Sequence, residues 1–191
     1  MMLLVAGLLA FACIHLTSTI PTVDKYWRSR FGHYHRAVFG LLLILSLAMI
    51  IFGWRLSPFV PVYDPLHWGR YMTFVIVLIA FFCLGIFLFR GSLRQRLRFP
   101  LAIAIILWAI GHLFANGDVA SLVLFGGMMI YAALHIALGI ANGIRPSAVV
   151  RAGHDALSIL AGAALYSVTA QLHPILTGIR VLDLGSSNGT G

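Results

Sequence analysis

Trp108, His112 and Asn116 recur at four-residue spacing, and Asp118 follows two residues later, within the run LWAIGHLFANGDVASLVLFGG over 107–127. Four-residue steps place the first three on one stripe of a helix. An imidazole in an apolar stretch is held neutral, and a neutral imidazole offers either a metal ligand or an interhelical hydrogen bond. Asn116 and Asp118 have a simpler explanation: Asn-Gly-Asp is turn chemistry, and Asp118 with Ser121 is placed to cap the helix that follows. His112 is not explained by the turn.

Two more of the eight histidines lie within apolar runs: His15, four residues before Thr19, and His135, four residues after Tyr131. Each is open to the same pair of readings, a metal or haem ligand or a hydrogen-bonded packing residue. His154 and Asp155 begin the last apolar run, where a cap explains the carboxylate and the interface explains the imidazole. His173, beside Pro174, ends that run and reads as interfacial. Other chemistries lack their signatures: there is no zinc-spaced cysteine pair, no HExxH, no glycine-rich phosphate loop and no GxSxG elbow. Nor is there a pair of intramembrane carboxylates for a proton relay. Cys13 and Cys83 both sit in apolar runs, where nothing argues for a disulfide.

The elements that must position these residues are membrane helices. The 191 residues are 61% hydrophobic and 9% charged, and six stretches of about 18–20 apolar residues can be drawn, each enough for one crossing. They fall near 2–20, 37–54, 71–89, 99–116, 119–142 and 154–172, and all seven prolines lie near their ends, where a missing N–H costs little. The fold class expected is therefore all-α, a polytopic membrane bundle of about six helices with no soluble domain. MMLLVAGLLAFACIHLTSTIPT, with no basic leader and no cleavage site, reads as a first membrane helix rather than a removable signal. Residues 1–184 form the transmembrane domain, and GSSNGTG at 185–191 reads as a cloning scar or disordered tail.

The net charge of +8 would suggest nucleic acid in a soluble protein, but here the cations cluster in loops. Lys25, Arg28, Arg30, Arg36, Arg90, Arg94, Arg96, Arg98, Arg145 and Arg151 fall on one side, and Arg55, Arg70 and Arg180 on the other. The positive-inside rule then places both termini outside the cytoplasm, with the basic loops against lipid headgroups. The connector at 55–71, with Tyr63, Trp68 and Tyr71, suits the membrane interface.

RFPLAIAIILWAIGHLFANGDVASLVLFGG resembles the central signature of the NnrU family of membrane proteins, in which Arg-His-Pro leads to Trp-Ala-x-x-His and Asn-Gly-Asp. HLTSTIP is similar to that family's first-helix element, and LYSVTAQLHPILTGI to its closing His-Pro segment. The resemblance implies haem b held by intramembrane histidines, with His15 and His112 as the axial iron ligands by motif. Depth along the helices, at about 1.5 Å per residue, makes His135 the alternative partner of His15. Trp108, on the His112 stripe, completes the cofactor-binding set. Basic loop residues would pair with the haem propionates.

The family includes 15-cis-zeta-carotene isomerases, so the resemblance implies a redox-dependent cis-trans isomerase of a lipophilic polyene. The bacterial branch, named for nitrite and nitric oxide reduction, implies instead a non-catalytic haem protein for electron transfer or nitrogen-oxide sensing, or a cofactor-free assembly factor for denitrification or respiratory complexes. It places the protein in the bacterial cytoplasmic membrane. Phe99 stands where the family pattern has histidine, so any role of that histidine is missing, and the isomerase branch differs around Asn116 and Asp118; the chain therefore resembles the bacterial branch more, which weakens the inference of a carotenoid substrate.

Overall fold

The computed structural model describes residues 1–146 and 148–179; the tail expected at 185–191 lies outside the described residues. The helices are α1 (Met2–Thr17), α2 (Pro21–Phe31), α3 (His35–Arg55), α4 (Gly69–Leu88), α5 (Ser92–Leu97), α6 (Pro100–Leu113), α7 (Val119–Ala141) and α8 (His154–Thr177), with a 3-10 turn at Gly32–Tyr34 between α2 and α3. No strand occurs among the described residues. The six apolar stretches correspond to α1, α3, α4, α6, α7 and α8. Helices α4, α7 and α8, and the helical stretch Pro21–Arg55, are long and apolar enough to cross a membrane. The chain is an integral membrane protein of helical class. Helices α1 and α6, with 16 and 14 residues, reach only about 24 and 21 Å, short of a hydrocarbon core of about 30 Å.

Helix α2 was not expected, since it forms in the basic connector PTVDKYWRSRF. Pro21 opens it with its φ already helical, and Arg28 Nε bonds Asp24 one turn back at 2.8 Å. Helix α8 also departs from expectation. It does not stop before Pro174 but continues to Thr177, and Gly178 closes it in the left-handed region at φ 82°, its N–H donating to Pro174 O at 2.9 Å. A proline this near the end removes only one N–H, which Ala170 O would otherwise receive.

Asp155 was expected to cap its own helix, but the residue at the N-cap is Gly153, and the Asp155 carboxylate points across to α5. It accepts from Ser92 N at 3.1 Å, Leu93 N at 3.0 Å and Ser92 Oγ. One carboxylate thus satisfies the free amides at the start of α5 and ties the α4–α6 connector to α8. Asp155→Ala is expected to lower the thermal unfolding midpoint in detergent, as loss of an N-cap does.

Neighbouring helices form an open ring in the order α3, α1, α7, α6, α4, α8. Gly53 lies against Leu4 and Gly7 against Ile50, so α1 and α3 run antiparallel with backbones in close approach. Leu8 meets Gly127 and Phe11 meets Tyr131, so α1 runs parallel to α7. Leu4, Leu8, Ile50, Ala109, Ala120, Leu124 and Phe125 form the main core, and Ala102, Tyr131 and Ala132 a second one. The ends of the open ring, α3 and α8, barely touch.

Candidate functional site

The Asn-Gly-Asp turn is a seat for the connector between α3 and α4. Val62 N and Tyr63 N donate to Gly117 O at 2.8 and 3.1 Å, and Val119 N donates to Val60 O at 2.9 Å. A Cβ at Gly117 would fall 1.9 Å from Tyr63 O, so the approach requires glycine. Asp118 caps α7 as expected, accepting from Ser121 N at 3.0 Å and from Ser121 Oγ.

Tyr63 closes the other side of the turn. Its hydroxyl donates towards Leu113 O and towards Asn116 O, the latter at 2.8 Å, covering carbonyls freed where α6 ends. Desolvation of the phenol, reinforced by the nearby Asp118 carboxylate, raises its pKa above the usual 10.0 and keeps it protonated as a donor. Tyr63→Phe is expected to cost about 1 kcal/mol, the net value of a lost hydrogen bond, measured as a fall in unfolding midpoint.

This hairpin sets the position of His112, one turn inside α6. Its Nδ1 lies 2.8 Å from Trp108 O. A carbonyl can only accept, so Nδ1 carries the proton and Nε2 keeps its lone pair. The ring is held between Trp108, with centroids 5.0 Å apart, and Phe125, at 4.7 Å and 24° from parallel. Asn116 Nδ2 donates to His112 O at 2.9 Å and fixes the last turn.

The partner that tertiary structure brings to His112 is His173 of α8. The two rings lie 6.4 Å apart, within 15° of parallel. His173 repeats the arrangement of His112: its Nδ1 lies 2.9 Å from Ile179 O, which again leaves Nε2 as the bare nitrogen. Thr177 Oγ1 stands 3.0 Å from the same Nδ1 and donates to His173 O at 2.9 Å. Expected as interfacial, His173 instead faces the helix that carries the central motif. The signal in the sequence was its stripe, since Tyr166, Ala170, His173 and Thr177 follow helical spacing on α8.

Both imidazoles border a cavity of about 670 Å³. Trp54 and Ile51 of α3, Phe74 of α4, Trp108 of α6, Phe125 of α7 and Tyr166 of α8 supply its apolar wall, with Arg70 at its rim. Trp54 Nε1 is buried and has no hydrogen-bond partner among the described residues.

His15 and His135 occupy a different level. His15 packs against Phe11 at 4.5 Å, Tyr131 at 5.7 Å and Phe39 at 6.0 Å, and His135 lies 6.1 Å from Tyr131. Tyr131 is six residues beyond Phe125 on α7, a rise of about 9 Å, so the motif pair His15 and His112 lies at separate depths. His15 and His135 both border Tyr131 in this second cluster, where the buried Nδ1 of His135 lacks a partner among the described residues. Phe99 fills space here, its ring against Gly139 and edge-on to His135 at 6.3 Å. No group of three or more His, Cys, Asp or Glu side chains able to hold a metal ion occurs among the described residues.

No curated protein and no solved structure matches this chain. One family model does, described as NnrU protein, and it aligns with residues 3–181. That span takes in the first-helix histidine, the Trp-Ala-x-x-His and Asn-Gly-Asp hairpin and the closing His-Pro helix, and on it the chain belongs to the NnrU family.

Proposed function

We propose that the protein binds haem b in the cavity bordered by α6 and α8, where His112 and His173 would hold the iron. The observation that carries this reading is the spacing of the two rings. The two rings lie 6.4 Å apart within 15° of parallel, and each keeps its Nε2 bare. Both Nδ1 atoms rest on backbone carbonyls, the arrangement that orients a ligating histidine and strengthens its free nitrogen as a donor. Two histidines without a third protein ligand are too few for a structural zinc site, whereas a porphyrin supplies its own four equatorial nitrogens.

In this reading Trp108, Phe125 and Tyr166 provide the flat apolar surfaces and Arg70 a cation for a propionate. Bound there, haem would supply one-electron chemistry. His112 is anchored to its own helix, while His173 is anchored to Ile179, beyond the end of α8. The apolar wall favours a lipophilic polyene, and hence the isomerase, over electron transfer alone. All six apolar helices cross the bilayer of the bacterial cytoplasmic membrane, α1 and α6 by local thinning, with the basic loops inside and both termini outside.

The test is an absorption spectrum of the full chain purified after expression with added haem precursor. One haem per chain, with a low-spin bis-imidazole spectrum in the oxidised and reduced states, is the expected outcome. Protein that remains colourless when haem is supplied would favour the assembly-factor reading.

A further inference from the structure

We propose that a second, smaller cavity is an aqueous vestibule that admits water and small hydrophilic solutes to the pair His112 and His173 from the end of the bundle where α3 and α8 finish. This cavity holds about 400 Å³ and lies where three segments meet: the close of α3 with the connector after it, the Asn-Gly-Asp hairpin, and the close of α8. Trp54, Asn116, Thr177 and Ile179 belong to its wall and also to the wall of the cavity of about 670 Å³. The two spaces therefore adjoin, and each polar residue on their common boundary is bonded to one of the histidines. Asn116 Nδ2 donates to His112 O at 2.9 Å, and Thr177 Oγ1 donates to His173 O at 2.9 Å. A solute at this boundary has reached the last turns of both histidine-bearing helices.

The lining decides the occupant. Arg55, Ser57 and Asp118 line the smaller cavity and not the larger one. Arg55 is exposed and donates to Ile175 O through Nη1 at 3.2 Å, and a guanidinium in such a place satisfies its remaining N–H donors with water. Hydrocarbon in the same space would strip that water from a charge, which costs far more than apolar contact returns. The Asp118 carboxylate is already held by Ser121 N and Ser121 Oγ, so the vestibule selects for hydrophilic solutes rather than for one sign of charge. The larger cavity has the opposite character, with Ile51, Phe74, Trp108 and Phe125 on its wall. The histidine pair thus stands where a wet space meets an apolar one. What the solute meets at the pair rests on the haem reading; the route itself is a property of the polypeptide.

The route is tested on haem-free full-length protein in phosphatidylcholine nanodiscs, with Cys13 and Cys83 replaced by Ala and a trimethylammonium methanethiosulfonate, which lipid excludes, as the probe. Ala170→Cys places a thiol on the wall of the larger cavity, beyond the vestibule. Leu160→Cys places one elsewhere on α8, at a side chain 66% exposed on the apolar exterior that lipid would cover. Ala170→Cys is expected to react at least tenfold faster than Leu160→Cys. Ser57→Trp and Pro58→Trp each fill the vestibule from the connector, and either one, in protein that folds, should slow the reaction of Ala170→Cys at least tenfold. An Ala170→Cys thiol that reacts no faster than Leu160→Cys, or whose rate neither tryptophan variant lowers, overturns the proposal. Reactive thiol in protein that stays colourless when haem is supplied would sink the haem reading and leave the vestibule standing; unreactive thiol in protein that still takes up haem would do the reverse.

Discussion

Replacing His173 by alanine is expected to abolish the bis-imidazole haem spectrum as completely as replacing His112, while His15→Ala keeps it. The reason is geometric. His112 and His173 approach within 6.4 Å with nearly parallel rings, whereas His15 packs against Tyr131, about 9 Å further along α7 than the Phe125 that holds His112. Loss of an axial ligand should leave five-coordinate, high-spin iron and reduce haem affinity by more than the 10–100-fold typical of a disturbed supporting contact. Imidazole added to His173→Ala should restore the low-spin spectrum, because the vacated space sits at the open seam of the ring. Thr177→Val provides a graded case. It removes the hydroxyl beside His173 Nδ1 but leaves Ile179 O in place, so coordination should persist with a shifted midpoint potential. A spectrum unchanged in His173→Ala and lost in His15→Ala would return the assignment to the motif pair.

A single methyl group at Gly85 should be the most damaging change in the helix packing. Its Cβ would stand 1.9 Å from Ser158 O and 3.0 Å from Gly162 N, both backbone atoms of α8. Neither can rotate away as a side-chain tip would, so α4 and α8 must separate. Overpacking of this kind costs about 1–3 kcal/mol. Gly85→Ala is expected at the upper end of that range, and Gly85→Val beyond it. Because α8 carries His173, the same variant should also lose haem affinity. The measurement is the unfolding midpoint in detergent, with Gly126→Ala as comparison. A Cβ at Gly126 meets nothing within 4 Å, so that change should be neutral or slightly stabilising, through better helix propensity. An equal effect at the two positions would mean that α4 and α8 do not approach in the membrane as closely as described.

The apolar helices were legible because their signal is local: each is a run of lipid-compatible residues bounded by prolines and charges. The Asn-Gly-Asp hairpin was legible for the same reason, since Asp118 and Ser121 lie within one helical turn of each other and their contact is decided by backbone geometry alone. Helix α2 was missed because its stabilising contacts, such as Arg28 with Asp24, belong to a polar surface helix that no hydropathy pattern reveals. Asp155 was misassigned because carboxylates near a helix start ordinarily serve that helix, and only the fold brings α5 to it.

His173 shows where local reading ends. By itself it is an imidazole beside a proline at the end of a span, and its stripe with Tyr166, Ala170 and Thr177 does not say which helix it meets. The sequence alone determined that this chain lives in lipid, that its helices carry a few neutral imidazoles, and that His112 stands one turn inside a capped hairpin. Tertiary structure alone decided which imidazoles meet. Pairing depends on the order of helices around the ring and on their relative depth, and both are set by contacts between backbones distant in sequence, Gly53 with Leu4 and Gly85 with Ser158 among them. Those contacts place α8 beside α4, bring His173 within 6.4 Å of His112, and leave His15 and His135 together at another level.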